Sequence, residues 1–159
     1  MSEQFSVVDL TYLESIADGD DSIIKELIVI FLEQMPEFTD GFTDCFNNKA
    51  WKELAALAHK AKSSVISMGM NDLGNIELKN LELMAKWKRI DFLRDQQNLG
   101  EKELSELNNL SQNLNSYPNE KQEWIKANVS ENLMLSIIEK FNSTCAIACN
   151  ELKSVLEKK

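Results

Sequence analysis

Helix breakers are scarce in this chain, whose 159 residues hold only two Pro and five Gly. Strands linked by tight turns would need more of both, so the shortage points to long helices. No apolar run approaches the roughly 20 residues that a membrane-spanning helix requires. The opening MSEQFSVVDL has neither the basic start nor the long apolar stretch of a secretory leader, so a cytoplasmic protein is expected. Cys45, Cys145 and Cys149 are an odd number in a chain without an export signal, and reduced thiols are expected. His59 is the single histidine, which leaves too few ligands for a zinc site; Cys145 and Cys149, at i,i+4, read as small core residues. Positive charge is short as well: 17 Lys and Arg against 26 Asp and Glu give a net charge of −9. Such a surface repels phosphate backbones and anionic lipid headgroups, which argues against nucleic acid and membranes as partners.

What is present is helical periodicity. Hydrophobic content of 43% suffices for one domain with its own core, without metal or disulfide support. Residues 9–17 predict a short helix with Leu10, Leu13 and Ile16 on one face, stopped by Gly19. Asp20 or Asp21 suits the cap of a long second helix, whose apolar positions are Ile23, Ile24, Leu27, Ile30, Phe31, Met35, Phe38, Phe42 and Phe46. Pro36 lies inside that run and predicts a kink or a split. In residues 50–68, Trp51, Leu54, Ala58, Ala61, Val65 and Met68 recur at intervals of 3, 4, 3, 4 and 3, the mark of a bundle seam. Another helix is expected from near Asp72 to about Leu93, using Ile76, Leu81, Met84 and Trp87. The more polar stretch of about 95–128, with Leu104, Leu107, Leu110 and Leu114 at helical spacing and then Pro118 and Trp124, predicts a helical hairpin or arm. Ser130 opens a last long helix ending near Glu157. The expected architecture is one all-α domain: an up-down four-helix bundle with a short N-terminal helix and an added helical segment before the last long helix. A monomer is expected.

Chemistry concentrates on the helix of residues 50–68. On a helical wheel, His59 falls about 130° from the centre of the seam, which places it toward solvent. Its expected neighbours on that face are Lys52, Ala55, Ala56, Ser63 and Ile66, mostly small, so another protein's surface could approach the imidazole. Lys62, three residues on, could reach toward the ring and meet negative charge placed there. An open imidazole with a cation one turn away suits phosphoryl transfer, which asks for positioning and charge neutralisation. Glu33 and Gln34 on the second helix could each hydrogen-bond the imidazole Nδ1 and so fix the tautomer; periodicity does not choose between them. Gly-rich phosphate loops, nucleophile elbows and paired catalytic carboxylates need turns or strands that are not seen, which argues against an autonomous enzyme.

The stretch LAHKAKSSVISMG, residues 57–69, resembles the signature of the histidine-phosphotransfer (HPt) family, with Ala58, His59, Lys62, Ser64 and Gly69 in register. FLEQMPEF, residues 31–38, also looks like that family's long second helix. The resemblance spans about residues 9–90 and, more loosely, the last helix. It implies that His59 is the phosphoacceptor, reacting through Nε2, and that Lys62 stabilises the phosphoryl oxygens. It further implies no cofactor of the chain's own, since magnesium and the acceptor aspartate belong to a partner receiver domain. Response-regulator receivers and a hybrid histidine kinase are the implied partners. Ser63 stands where the family usually has Gly and Ala61 where it often has Leu, and residues 95–128 have no counterpart in its compact form. A helical adaptor whose His59 is never phosphorylated is the alternative. A phosphoacceptor domain clipped from a larger kinase is a third, against which the Met1 start and the Lys158–Lys159 end favour a free-standing protein.

Overall fold

A computed structural model describes residues 5–157, so the Met1 start and the Lys158–Lys159 end lie outside the described residues. Every regular element among them is helical. In chain order these are α1 (Thr11–Ile16), α2 (Asp21–Asn47), α3 (Trp51–Ser67), a π-helical turn (Leu73–Leu78) running into α4 (Lys79–Asp95), α5 (Glu101–Asn115), α6 (Asn119–Asn128) and α7 (Glu131–Glu157). Among the described residues, no helix is long and apolar enough to cross a membrane.

The start of α2 is set by Asp20, whose carboxylate accepts from the Ser22 and Ile23 backbone N–H groups at 3.0 and 3.4 Å. Pro36 does not split α2, which runs unbroken for 27 residues. Its ring lies on the exposed side, while Phe31, Met35, Phe38 and Phe42 carry one buried stripe past it and hold both halves in line. That stripe begins with Ile24 and Ile28, and it leaves Ile23 and Ile30 exposed, against expectation. Ile16 of α1 is likewise exposed, its place taken by Ala17, while Leu13 is buried as expected. The α2 stripe meets α7, where Phe141 stands edge-on to Phe42 at 4.9 Å and to Phe38 at 6.5 Å. Ser130 caps α7 by accepting from the Leu133 N–H.

Helix α3 packs against α2, the π-turn and α4, and its expected seam is buried from Trp51 to Met68. Helix α4 is more enclosed than any spacing rule implied: six consecutive residues, Asn80–Ala85, are buried. Contacts from α3, α5, α6 and α7 surround it. The segment expected as a hairpin or arm forms two successive helices, α5 and α6, each packed on α4, and it lays Leu114 and Ile125 onto the core while Leu104 stays exposed.

The N-terminal segment is tied down at two places. The Glu151 carboxylate on α7 accepts from the Ser6, Val7 and Val8 backbone N–H groups at 2.7, 3.0 and 3.0 Å. The Asp9 N–H donates to the Met68 carbonyl at 2.9 Å. This second tie explains Gly69, which ends α3 with φ +83°; a Cβ there would fall 2.5 Å from the Asp9 carbonyl oxygen. Replacing Gly69 with Ala therefore forces both a left-handed alanine and a backbone clash. Urea denaturation should show Gly69→Ala less stable by about 2–3 kcal/mol, since strained backbone of this kind costs of order 1–3 kcal/mol before the clash is counted. A loss below about 0.5 kcal/mol would show that the N-terminal segment is not held there.

Candidate functional site

The outward side of α3 carries His59, with 67% of its side chain exposed. Of the residues expected beside it, Lys52, Ala56 and Ser63 are exposed. Ala55 is buried, contrary to expectation, because α4 packs closely along that flank of α3; it lines the base of the adjoining groove. Ile66 is half-buried for a related reason. Gly74 in the π-turn has no side chain, and a Cβ there would lie 2.5 Å from Ile66 Cγ1 and 3.1 Å from the Lys62 carbonyl oxygen. The α3 backbone at Lys62 is thus drawn tight against the start of the next helix.

The partner of the imidazole is Glu82, which the sequence reading missed. Its Oε1 lies 3.3 Å from His59 Nδ1 and 3.9 Å from Lys62 Nζ, while Oε2 accepts from Lys86 Nζ at 2.8 Å. Only 3% of the Glu82 side chain is exposed. Neither Glu33 nor Gln34 holds the ring: Glu33 is exposed, and Gln34 Oε1 accepts from Ser64 Oγ at 3.2 Å. The available signal was a lone acid inside the apolar run Leu81–Ala85, with Lys86 four residues on and Lys79 three residues before.

Burial acts to raise the Glu82 pKa, but the hydrogen bond and charge of Lys86, with the charges of Lys79 and His59, outweigh it and hold the carboxyl below its ordinary value. Glu82 is therefore ionised near neutral pH. An ionised carboxylate can only accept, so the neutral imidazole facing it carries its proton on Nδ1 and leaves Nε2 with the free lone pair. The arrangement presents a nucleophilic nitrogen on an exposed ring, with a buried counter-charge behind it.

Beside His59 lies a groove of about 450 Å³. Its floor is one face of α4, carrying Lys79, Glu82, Lys86 and Arg89. One wall is α3, with Lys52, Ala55, Ala56 and His59; the other is α5, with Glu106, Leu110 and Asn113, closed at one end by Tyr117. Four links fasten α5 and its following loop to the rest of the groove, three to the α4 floor and one to the α3 wall. Arg89 grips Glu106 through Nε and Nη2 at 2.6 and 2.9 Å, Lys86 donates to Asn113 at 2.9 Å, Lys52 lies 3.8 Å from Glu106, and Lys79 donates to the Tyr117 hydroxyl.

The thiols lie elsewhere. Burial and then the neighbouring Cys149 push Cys145 up to about 12, so it is an inert core group at physiological pH. Among the described residues there is no cluster of three His, Cys, Asp or Glu able to hold a metal. No protein-family model matches the chain, and no curated protein or solved structure shows significant similarity to it.

The ion cluster around Glu82 has a consequence for stability. Its folded pKa lies below the unfolded value of 4.5, so the ionised form adds stability that is complete above that value and is lost as the pH falls through the folded pKa. Urea denaturation near neutral pH should find Glu82→Gln less stable by about 2 kcal/mol, the scale of a charge-assisted hydrogen bond. The gap to the wild-type protein should close as the pH is lowered past 4.5. A gap independent of pH would mean that the charge of Glu82 contributes nothing.

Proposed function

We propose that this chain is a histidine-phosphotransfer protein that relays a phosphoryl group between receiver-domain aspartates through His59. The observation that carries the proposal is the pairing of an exposed imidazole with a buried, ionised carboxylate at Nδ1. That pairing fixes the tautomer in which Nε2 is the nucleophile, and the signature-like residues 57–69 supply the ring and its companion lysine. In this reading α2, α3, α4 and α7 form the family's up-down four-helix bundle, and α5–α6 is the added helical segment of a single domain.

The chemistry is a reversible exchange. Nε2 attacks the phosphorus of a receiver aspartyl phosphate; the N–P bond forms, the P–O bond to the aspartate breaks, and the carboxylate leaves with the electron pair. The ring becomes cationic as the bond forms, and Glu82 behind Nδ1 balances that charge. Lys62 meets the phosphoryl oxygens. Magnesium and the aspartate come from the receiver, so the chain is a phosphoryl carrier rather than an enzyme in its own right, and it needs no cofactor. A receiver of a hybrid histidine kinase would supply the group and a response regulator would accept it, in the cytoplasm.

Incubation with a phosphorylated receiver should transfer an acid-labile, base-stable label to the wild-type protein and none to His59→Gln. Lys62→Ala should slow transfer about tenfold, equivalent to about 1.4 kcal/mol of transition-state stabilisation, and Lys62→Arg should recover part of the rate. Absence of label from every receiver tried would favour the adaptor reading instead.

A further inference from the structure

We infer that the groove between α3 and α5 is a docking trough for an acidic segment of the partner protein, with α5 as the element that selects the partner. Naming that partner as a receiver rests on the phosphotransfer reading; the charge and shape of the trough do not. Lys52, Lys79, Lys86 and Arg89 line it against two carboxylates, Glu82 and Glu106, in a chain whose net charge is −9. A local excess of positive charge on an acidic protein steers an acidic surface to one place and repels it elsewhere.

The cations do not converge on a point. Along α4 they run from Lys79 to Arg89, ten residues that span about 15 Å at the helical rise. Each has its own companion: Tyr117 for Lys79, Glu82 and Asn113 for Lys86, and Glu106 for Arg89. A small anion would meet one of them, whereas a row of carboxylates on a peptide would run along them all. Ala55, Ala56 and Leu110 leave apolar surface between the charges for the occupant's aliphatic stems.

Two features tie the trough to His59. The imidazole stands on its rim, so a segment lying in it brings the rest of the partner over the ring. The opposite wall is α5, locked by the two-pronged Arg89–Glu106 pair, so a partner that fits the exposed side of α3 must also clear or engage α5. Helix α5 thereby discriminates among partners that a bare α3 face would accept alike.

The test uses the whole chain, labelled with 15N, titrated at low and at physiological salt with a decapeptide of glutamate and, separately, with inorganic phosphate. The peptide should shift amides of residues 52–59, 79–89 and 106–117 selectively, with affinity falling at least tenfold on adding salt. Lys52→Glu is tolerated at its exposed position and should weaken the peptide severalfold; Lys79→Glu should weaken it further. Shifts spread over other surfaces, or equal binding to both variants, would overturn the inference. Phosphate producing the same shifts at lower concentration than the peptide would also overturn it, in favour of a small-anion site. In the transfer assay, Lys52→Glu should raise KM about tenfold for receivers that carry an acidic segment, with kcat held. An unchanged KM overturns the trough as the place where such receivers dock. If no receiver labels the wild-type protein, the phosphotransfer reading falls, and the peptide titration still decides the trough.

Discussion

A carboxylate with 3% of its side chain exposed must be neutralised by groups fixed around it, and Glu82 imposes that demand on three helices at once. Lys86 answers from α4 itself, Lys62 and His59 answer from α3, and Asn113 on α5 holds Lys86 from the far side. The close approach of α3 to the π-turn at Gly74 keeps the α3 groups within reach. An extra residue wound into the turn before α4 also resets which side of that helix faces α3, and π-turns of this sort commonly mark functional sites. The orientation of the one histidine thus follows from where a buried acid sits on a neighbouring helix.

The same helix explains what α5 and α6 contribute to the fold. With Asn80–Ala85 all buried, α4 has no polar side to offer water over that stretch. Leu83 faces Leu114 and Ile125 across a small cavity, so α5 and α6 cover that side of α4. Cover and wall meet in α5: it packs on α4 and also borders the groove beside His59, and its polar composition suits a helix buried along one edge only.

What could be read in advance followed from regular periodicity. The α3 seam and the exposure of His59 come directly from a 3.6-residue repeat with small residues interleaved, and the caps at Asp20 and Ser130 come from the chemistry of helix starts. The repeat was less decisive in α2, where apolar residues at Ile23, Ile24, Leu27, Ile28, Val29, Ile30, Phe31 and Leu32 occupy most of the circumference and packing against α7 chooses the phase. It failed at Glu82. A helix enclosed on every side has no amphipathic signal, so an acid within it looks like the polar face that the helix lacks. Ala55 was misplaced because exposure was judged on α3 alone, without the close packing of α4 against it.

Lys62 and Lys86 address the same carboxylate at unequal range, and the difference bears on how phosphoryl transfer would run. At 2.8 Å, Lys86 makes a charge-assisted hydrogen bond; at 3.9 Å, Lys62 does not. Coulomb attraction at an effective dielectric near 20 is about 4 kcal/mol at such separations, too little to hold Lys62 against a phosphoryl dianion arriving one helical turn away. Moving Lys62 to that dianion leaves Glu82 balanced by Lys86 and by the cationic ring that the transfer creates. With a single lysine the two tasks would conflict, since every approach to the phosphoryl group would strip a buried carboxylate of its counter-ion. In the phosphotransfer reading, dividing them would let the α4 lysine keep the site assembled while the α3 lysine follows the charge.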